Sequence, residues 1–429
     1  MHIKRELETY LESYFSNNQP RALILAGIVG SGKTTLVKSL LDKLIQSTPV
    51  FSYTGDDIRF RNSLEVDSQT ILNEVRSRVQ GHAIVFVDEV QKTEAVFDAL
   101  KLCFDNGISF IVTGSNPAYL ATIARKRLQR RADFLTMAPF SLPEILAHKG
   151  LIQLQETQSA FLKILDKNSE PEIPNFELQL SDEIKEVCER HLILGGLPTS
   201  FFETTFESVL RQIRATVERG FEVMEHDNRN ISDVVRTSLA LNHSREFTYQ
   251  GIMQRTGVRL RDDINAEIKA LLGHGYLQAK RPTFMGLDRR SYFCVYSYSD
   301  PGIVTYLCGD DSPTTEELGF RLEGAIHTRL EFLRQFVPFN HELSYFKPFT
   351  VDQNDKTKFG PGEIDFVYSR GKRHVPIEVK LTSNLRDIDT SLIERFTKQY
   401  KAPYGIVIYG GVPHVKKEKK MIYWPYWLV

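Results

Sequence analysis

From residue 21 onward, short apolar runs alternate with stretches of helical spacing. ALILAG (22–27) leads into a glycine-rich loop, and in TTLVKSLLDKLI (34–45) the apolar positions Leu36, Leu40 and Leu44 recur one helical turn apart. AIVFV (83–87) and FIVTG (110–114) are short β-branched runs that give way to polar residues. Strands of this kind separated by helices predict an α/β domain with a mostly parallel sheet. Such sheets bind ligands at the carboxyl ends of their strands, where these polar residues fall.

Beyond Pro139 the pattern turns helical, through FSLPEILAHKG and DEIKEVCERHLIL to GGLP at 195–198. The polar stretch 151–181, with Pro171 and Pro174, reads as an irregular connection. Helical signal returns to about residue 245. FTYQGIMQRTGV (247–258) and a helix bearing Ile264, Ile268, Leu271 and Leu272 then precede two strand-like runs, GYLQAKRPTF and RRSYFCVYSY. Helix–turn–helix followed by a hairpin is a winged-helix pattern. From about residue 313, GFRLEGAIHTRLEFLRQF opens a second α/β unit. The expected organisation is an α/β core over 1–145, a helical lid over 146–230, a winged helix over 231–312 and a C-terminal α/β domain over 313–429.

Composition narrows the functional classes. The 429 residues carry 54 Lys plus Arg against 54 Asp plus Glu, so a nucleic-acid surface would have to be a local patch. With 41% hydrophobic and 25% charged residues the chain is ordinary globular material. Cys103, Cys188, Cys294 and Cys308 form no CxxC pair, which argues against a zinc ribbon and suits a reducing compartment. The start, MHIKRELETYLESYF, lacks the apolar segment of a signal peptide, and no apolar run is long enough to span a membrane. A cytoplasmic location is expected.

Gly27-Ile28-Val29-Gly30-Ser31-Gly32-Lys33-Thr34 fits GxxxxGK[ST] in full, between a predicted strand and a predicted helix. Glycines let backbone N–H groups curl round phosphates, Lys33 reaches the β/γ-phosphates, and the Thr34 hydroxyl can ligate Mg²⁺. Thr35 completes the nucleotide-binding segment. About fifty residues on, IVFVDE (84–89) presents Asp88 for Mg²⁺ and Glu89 to orient or deprotonate the attacking water. The next strand ends in Thr113, Ser115 and Asn116, with Ser115 or Asn116 the candidate for contacting the γ-phosphate; an Asn/Ser turn before Pro117 explains the same residues. RKRLQRR (125–131) has five basic residues in seven. Such a run is usually a solvated face, but its position after that strand also suits an arginine finger acting across a subunit interface.

Taken together, the P-loop, DEVQK (88–92), TGS (113–115), LQRR before PFSLPEIL, GGLP, LEGAIHTRLE, GEIDFV and IEVK resemble a family of prokaryotic AAA+-type ATPases fused to a C-terminal domain of unknown function. The resemblance implies ATP hydrolysis and a winged-helix linker. It aligns the family's single arginine with Arg131 rather than Arg130. Where family members often carry an Arg-Asp pair after GGLP and the following helix, this chain reads VMEHDN (223–228), so no role is carried over.

In the last domain, Asp365 lies in GEIDFVY, and PIEVKL follows with Glu378 and Lys380 alternating against Ile377, Val379 and Leu381. Residues two apart on a strand share a face, so Glu378 and Lys380 project together, and a hairpin can bring Asp365 beside them. The spacing resembles the PD-(D/E)xK nuclease core, with Glu323 as its first-helix acid and Ile364 in place of the proline. That resemblance implies Mg²⁺, or Mn²⁺ as an alternative, shared by Asp365 and Glu378, with Lys380 beside the attacking water and Glu323 in support. A charged edge strand is the bland alternative. Lys398, Gln399 and Tyr400, and Lys416, Lys417, Lys419 and Lys420, could meet a phosphate backbone, though exposed polar residues of this kind more often only solvate. Arg259, Arg261 and Lys269 offer the winged helix a basic surface, diluted by Asp262 and Asp263. His191 and the other histidines have no zinc-ligand spacing. Expected partners are ATP, DNA or RNA, a protein docked on the winged helix, and further copies of the chain; no membrane is expected.

Overall fold

A computed structural model describes residues 3–16, 19–129, 131–166, 180–201, 203, 205–224, 229–246, 248–257, 261–283, 294–337, 339–351 and 357–429. Arg130, Arg259 and the EHDN of VMEHDN lie outside these residues, as do residues 284–293 between the two strand-like runs.

The first unit runs α1 (Glu6–Phe15), β1 (Ala22–Ala26), α2 (Lys33–Leu44), β2 (Val50–Thr54), α3 (Ile58–Val66), α4 (Thr70–Arg78), β3 (Ile84–Asp88), α5 (Ala95–Asp105), β4 (Ser109–Gly114), α6 (Pro117–Arg127) and β5 (Asp133–Thr136). The sheet order is β2-β3-β4-β1-β5 with every pairing parallel. β1 and β4 are buried along their whole length, which is why they read as continuous apolar runs rather than alternating ones. Parallel pairing also puts every strand's carboxyl end on one edge. Ala26 lies beside Gly114, and Thr54 beside Asp88.

The chain then becomes helical: α7 (Leu142–His148), α8 (Leu154–Asp166), α9 (Asp182–Leu194), α10 (Phe206–Glu222), α11 (Arg229–Leu241), α12 (Tyr249–Thr256) and α13 (Arg261–His274). Part of the stretch expected to be irregular is therefore the regular helix α8. Its Phe161, Ile164 and Leu165 are buried, and this packing outweighs the polar composition around them. Within GGLP, the Gly196 N–H donates to Asp300 at 2.6 Å, tying the turn to the start of a later helix. β6 (Leu277–Lys280) and β7 (Val295–Tyr298) pair antiparallel, Glu246 bridges to Val295 beside them, and α14 (Pro301–Cys308) follows.

The last unit comprises α15 (Thr315–Arg334), β8 (Glu342–Phe346), β9 (Phe349–Val351), β10 (Thr357–Phe359), β11 (Ile364–Arg370), β12 (Arg373–Val379), α16 (Ser391–Gln399), β13 (Gly405–Tyr409), β14 (His414–Lys416) and β15 (Met421–Pro425). Thr314 and Glu317 form a capping box that starts α15. Its main sheet is ordered β14-β15-β13-β12-β11-β8, mixed parallel and antiparallel.

Four apolar clusters pack the described residues, and two of them join one unit to another. One joins α1, α2, α7, α8 and α9 to α15 and one face of the C-terminal sheet, through Leu7, Leu36, Phe161, Leu322, Phe366 and Trp424. The other joins α10–α14 with β6 and β7, and takes in Ile28 of the glycine-rich loop. At the edge of the first, Arg329 grips the Glu6 carboxylate with both terminal nitrogens and donates to the Val429 carbonyl at 2.7 Å.

Candidate functional site

The glycine-rich loop leaves β1 with the Gly27 N–H on the Gly114 carbonyl at 3.2 Å. Gly30 and Gly32 have φ of +81° and +93°, a region that costs any side-chain-bearing residue, so the curl of the loop depends on them. Ser31 is buried with its hydroxyl on the Ile28 carbonyl at 3.0 Å. The Lys33 ammonium is held by the carbonyls of Gly27 at 2.9 Å and Ile28 at 2.8 Å. Burial pushes Lys33 down to about 8, against the opposing pull of Glu89 and Asp88. Thr34 is half-buried, and Thr35 is exposed at the first turn of α2.

At the end of β3, Asp88 accepts from the Thr34 hydroxyl at 3.0 and 3.1 Å and from the Thr113 hydroxyl on the adjacent strand. A threonine hydroxyl and a carboxylate on neighbouring elements are hard oxygen donors, a pair that fits a Mg²⁺ ion whose other ligands are phosphate oxygens and water. Glu89 follows at φ +50°, a strained setting for a non-glycine residue and one that concentrates at functional sites. Gln91 holds its Oε2 and also donates to the Ser115 hydroxyl at 2.9 Å, while Ser115 lies 3.5 Å from the same carboxylate oxygen.

The third strand thus divides its polar residues between tasks that the sequence did not separate. Thr113 serves Asp88 and Ser115 serves Glu89. Asn116 instead caps α6 through the Tyr119 N–H at 3.1 Å, with its amide 3.2 Å from His274. Arg131 stands elsewhere: it pairs with Asp105 at 2.7 Å, just before β5, whose Asp133 lies beside Leu23 near the amino end of β1. This is the edge of the sheet opposite the glycine-rich loop. Arg127 of the same basic run pairs with Asp98 and Glu94.

Two residues near the loop carried no motif. α10 lies against it, since a Cβ on Gly30 would fall 2.3 Å from Thr216. Arg219, one turn further along α10, contributes to lowering Lys33. The Tyr276 ring is buried, with its hydroxyl in the space left by Gly220 and against the Val29 backbone.

In the C-terminal unit, Glu323 on α15, Asp365 on β11 and Glu378 on β12 draw together. Burial, reinforced by Asp365 and opposed by Lys280 at Glu323 and by Lys380 at Glu378, raises each of the two to about 8. The register between β11 and β8 slips between Ile364 and Val367, the kind of irregularity that re-aims a side chain such as Asp365. Lys380 reaches Glu378 at 2.6 Å, and Asp365 accepts from the Val379 N–H at 2.7 Å. Unexpectedly, Glu323 is paired with Lys280, the last residue of β6. The acids expected to require a divalent ion thus already have two lysines. Among the described residues, no group of three or more His, Cys, Asp or Glu side chains is placed to hold a metal ion. As arranged, the set does not fit one. Four of the phosphate-contact candidates nearby have partners within the chain: Tyr400 packs on Phe396 and Phe346, Gln399 donates to its hydroxyl, Lys416 lies over Tyr423, and Lys419 pairs with Glu394.

A parallel sheet with a complete phosphate loop, and an Asp–Glu pair one strand removed from it, is the arrangement of a P-loop ATPase domain. Residues 19–146 match the family model described as AAA domain, and residues 330–429 match the one described as Domain of unknown function (DUF4143). No curated protein matches the chain. Similar solved structures include domain III of the Thermotoga maritima replication initiation protein DnaA, at 18% identity over 51% of this chain and 95% of that one, TM-score 0.28. Cdc6p from Pyrobaculum aerophilum is 10% identical over 71% and 92%, TM-score 0.26, and Trip13 of Rhizobiales 18% over 37% and 67%, TM-score 0.24. Among the described residues no helix is long and apolar enough to cross a membrane.

Proposed function

We propose that the chain binds ATP at residues 27–34 and hydrolyses it, with Glu89 as the water-orienting carboxylate. The observation that carries this reading is the contact of Asp88 with both Thr34 and Thr113, with Glu89 beside it on Gln91 and Ser115. Lys33 would exchange the loop carbonyls for phosphate oxygens, and Asp88 and Thr34 would hold Mg²⁺, which supplies charge neutralisation on the phosphates when bound. Glu89 would accept the proton of water held in line. The deciding experiment is ATP turnover by wild type and Glu89→Gln: equal rates would remove Glu89 from this role. Arg131 is proposed as a finger in trans only. Its test is whether mixing Arg131→Ala with Glu89→Gln subunits restores activity.

The units beyond the ATPase core are read as a helical lid, a winged helix (α11–α13 with β6 and β7) and a PD-(D/E)xK-type domain in the order α15, β8, β11, β12, α16, β13. Two uses of the last domain remain: cleavage of nucleic acid, and a platform that binds nucleic acid or protein. Pairing of Glu323 with Lys280 favours the platform. Incubation of the chain with ATP, Mg²⁺ or Mn²⁺ and single- or double-stranded DNA and RNA should give retention without cutting. Cutting that Asp365→Ala abolishes would establish the nuclease instead.

A further inference from the structure

Lys280 has no exposed surface at all, although lysine is among the residues least often buried. Its ammonium pairs with Glu323, donates to the Asp365 carbonyl at 3.0 Å and lies 4.5 Å from the Phe366 ring centre. The backbone holds it there. Just after β6, the Tyr345 N–H of β8 donates to the Arg281 carbonyl at 3.0 Å, and the Thr283 N–H returns to Tyr345 at 2.7 Å. The chain carrying Lys280 is therefore stitched to the edge of the C-terminal sheet, and the ammonium is delivered to a fixed point.

We infer that Lys280 is the resident cation of the Glu323–Asp365–Glu378 set, and that it keeps divalent ions out of it. The charges explain why. Three carboxylates meet two ammonium groups, Lys280 and Lys380, and Glu363 beside them pairs with Lys347 at 3.7 Å, so each acid already has a cation near it and an ion would need to displace a lysine already buried. Displacing Lys280 would part a buried ammonium from its carboxylate, and keeping it would set a divalent ion against that ammonium. The inference uses the side chains of the nuclease-like reading but does not depend on cleavage: a platform domain would hold the same lysine. Lys280 is also four residues from Tyr276, so the short strand β6 runs from the Val29 backbone in the phosphate loop to the carboxylate set.

The test is a Mn²⁺ titration of the full chain without nucleotide, read by electron paramagnetic resonance of free Mn²⁺, in a Thr34→Ala background that weakens the P-loop ion site. With Lys280 present, Asp365→Asn should leave Mn²⁺ binding unchanged. Lys280→Met should add one bound ion per chain with affinity at least about tenfold tighter, and Asp365→Asn should remove it again. Should Lys280→Met fail to fold, Lys280→Met/Glu323→Gln removes the cation and its partner together and serves for the same titration. The inference is overturned if the Lys280-containing chain holds an ion that Asp365→Asn releases. It is equally overturned if the folded Lys280 variant binds no more than its parent. Neither result depends on whether the chain cuts nucleic acid.

Discussion

Gln91 joins Glu89 to Ser115, reaching a carboxylate oxygen of one and the hydroxyl of the other. The third strand is thereby tied to the residue that would handle water. Glu89→Gln should keep nucleotide binding and lose about 10²–10⁴-fold in turnover, the usual range for a general base. Gln91→Ala should move the same quantity in the same direction by less, because it frees the carboxylate without removing it. Single-turnover hydrolysis with nucleotide affinity measured in parallel separates the two effects.

Lys33→Ala should weaken ATP binding by about 1.5–3 kcal/mol, the worth of a hydrogen bond to a charged group. Isothermal titration with a slowly hydrolysed analogue gives the number. Undiminished affinity would place the phosphates elsewhere.

Arg219 faces the same loop from α10. Its replacement by Ala should cost about tenfold in ATP affinity or turnover, on the order of 1.4 kcal/mol, and Arg219→Lys should recover part of it. No change in either constant would leave the arginine a surface residue.

The phosphate loop and the Asp88–Glu89 pair were legible because each is a contiguous stretch whose backbone geometry is set by its own residues. Glu323, Asp365, Glu378 and Lys380 were legible as a spacing. Lys280 was not: it lies 43 residues from Glu323, and in sequence it is one more lysine on a short amphipathic strand. Arg219 was hidden for a similar reason, since only the packing of α10 on Gly30 brings it near Lys33. Asn116 was legible two ways, as a γ-phosphate contact or as a turn residue before Pro117, and the structure shows it capping α6, as an Asn ahead of a helix that begins with Pro prefers to do.

His191 is fully buried, with Nε2 at 3.1 Å from the Phe140 carbonyl, and burial pulls it down to about 4. Because its folded value lies below the unfolded one, its contribution to stability is complete above about pH 6.5 and is lost as pH falls towards 4. Between pH 7 and pH 5 this group alone should cost about 2 kcal/mol. In His191→Gln, the difference in denaturant-measured stability between those two pH values should shrink by about that amount; an unchanged difference would mean that the imidazole titrates normally.

The sharing of one core between two sheets has a mechanical consequence. α9 spans two cores, with Leu192 in the one that holds the C-terminal sheet and Leu194 in the one that holds Ile28. The ATPase sheet and the C-terminal sheet share the first core and are clamped by Arg329 on Glu6, so they cannot hinge apart without exposing apolar surface.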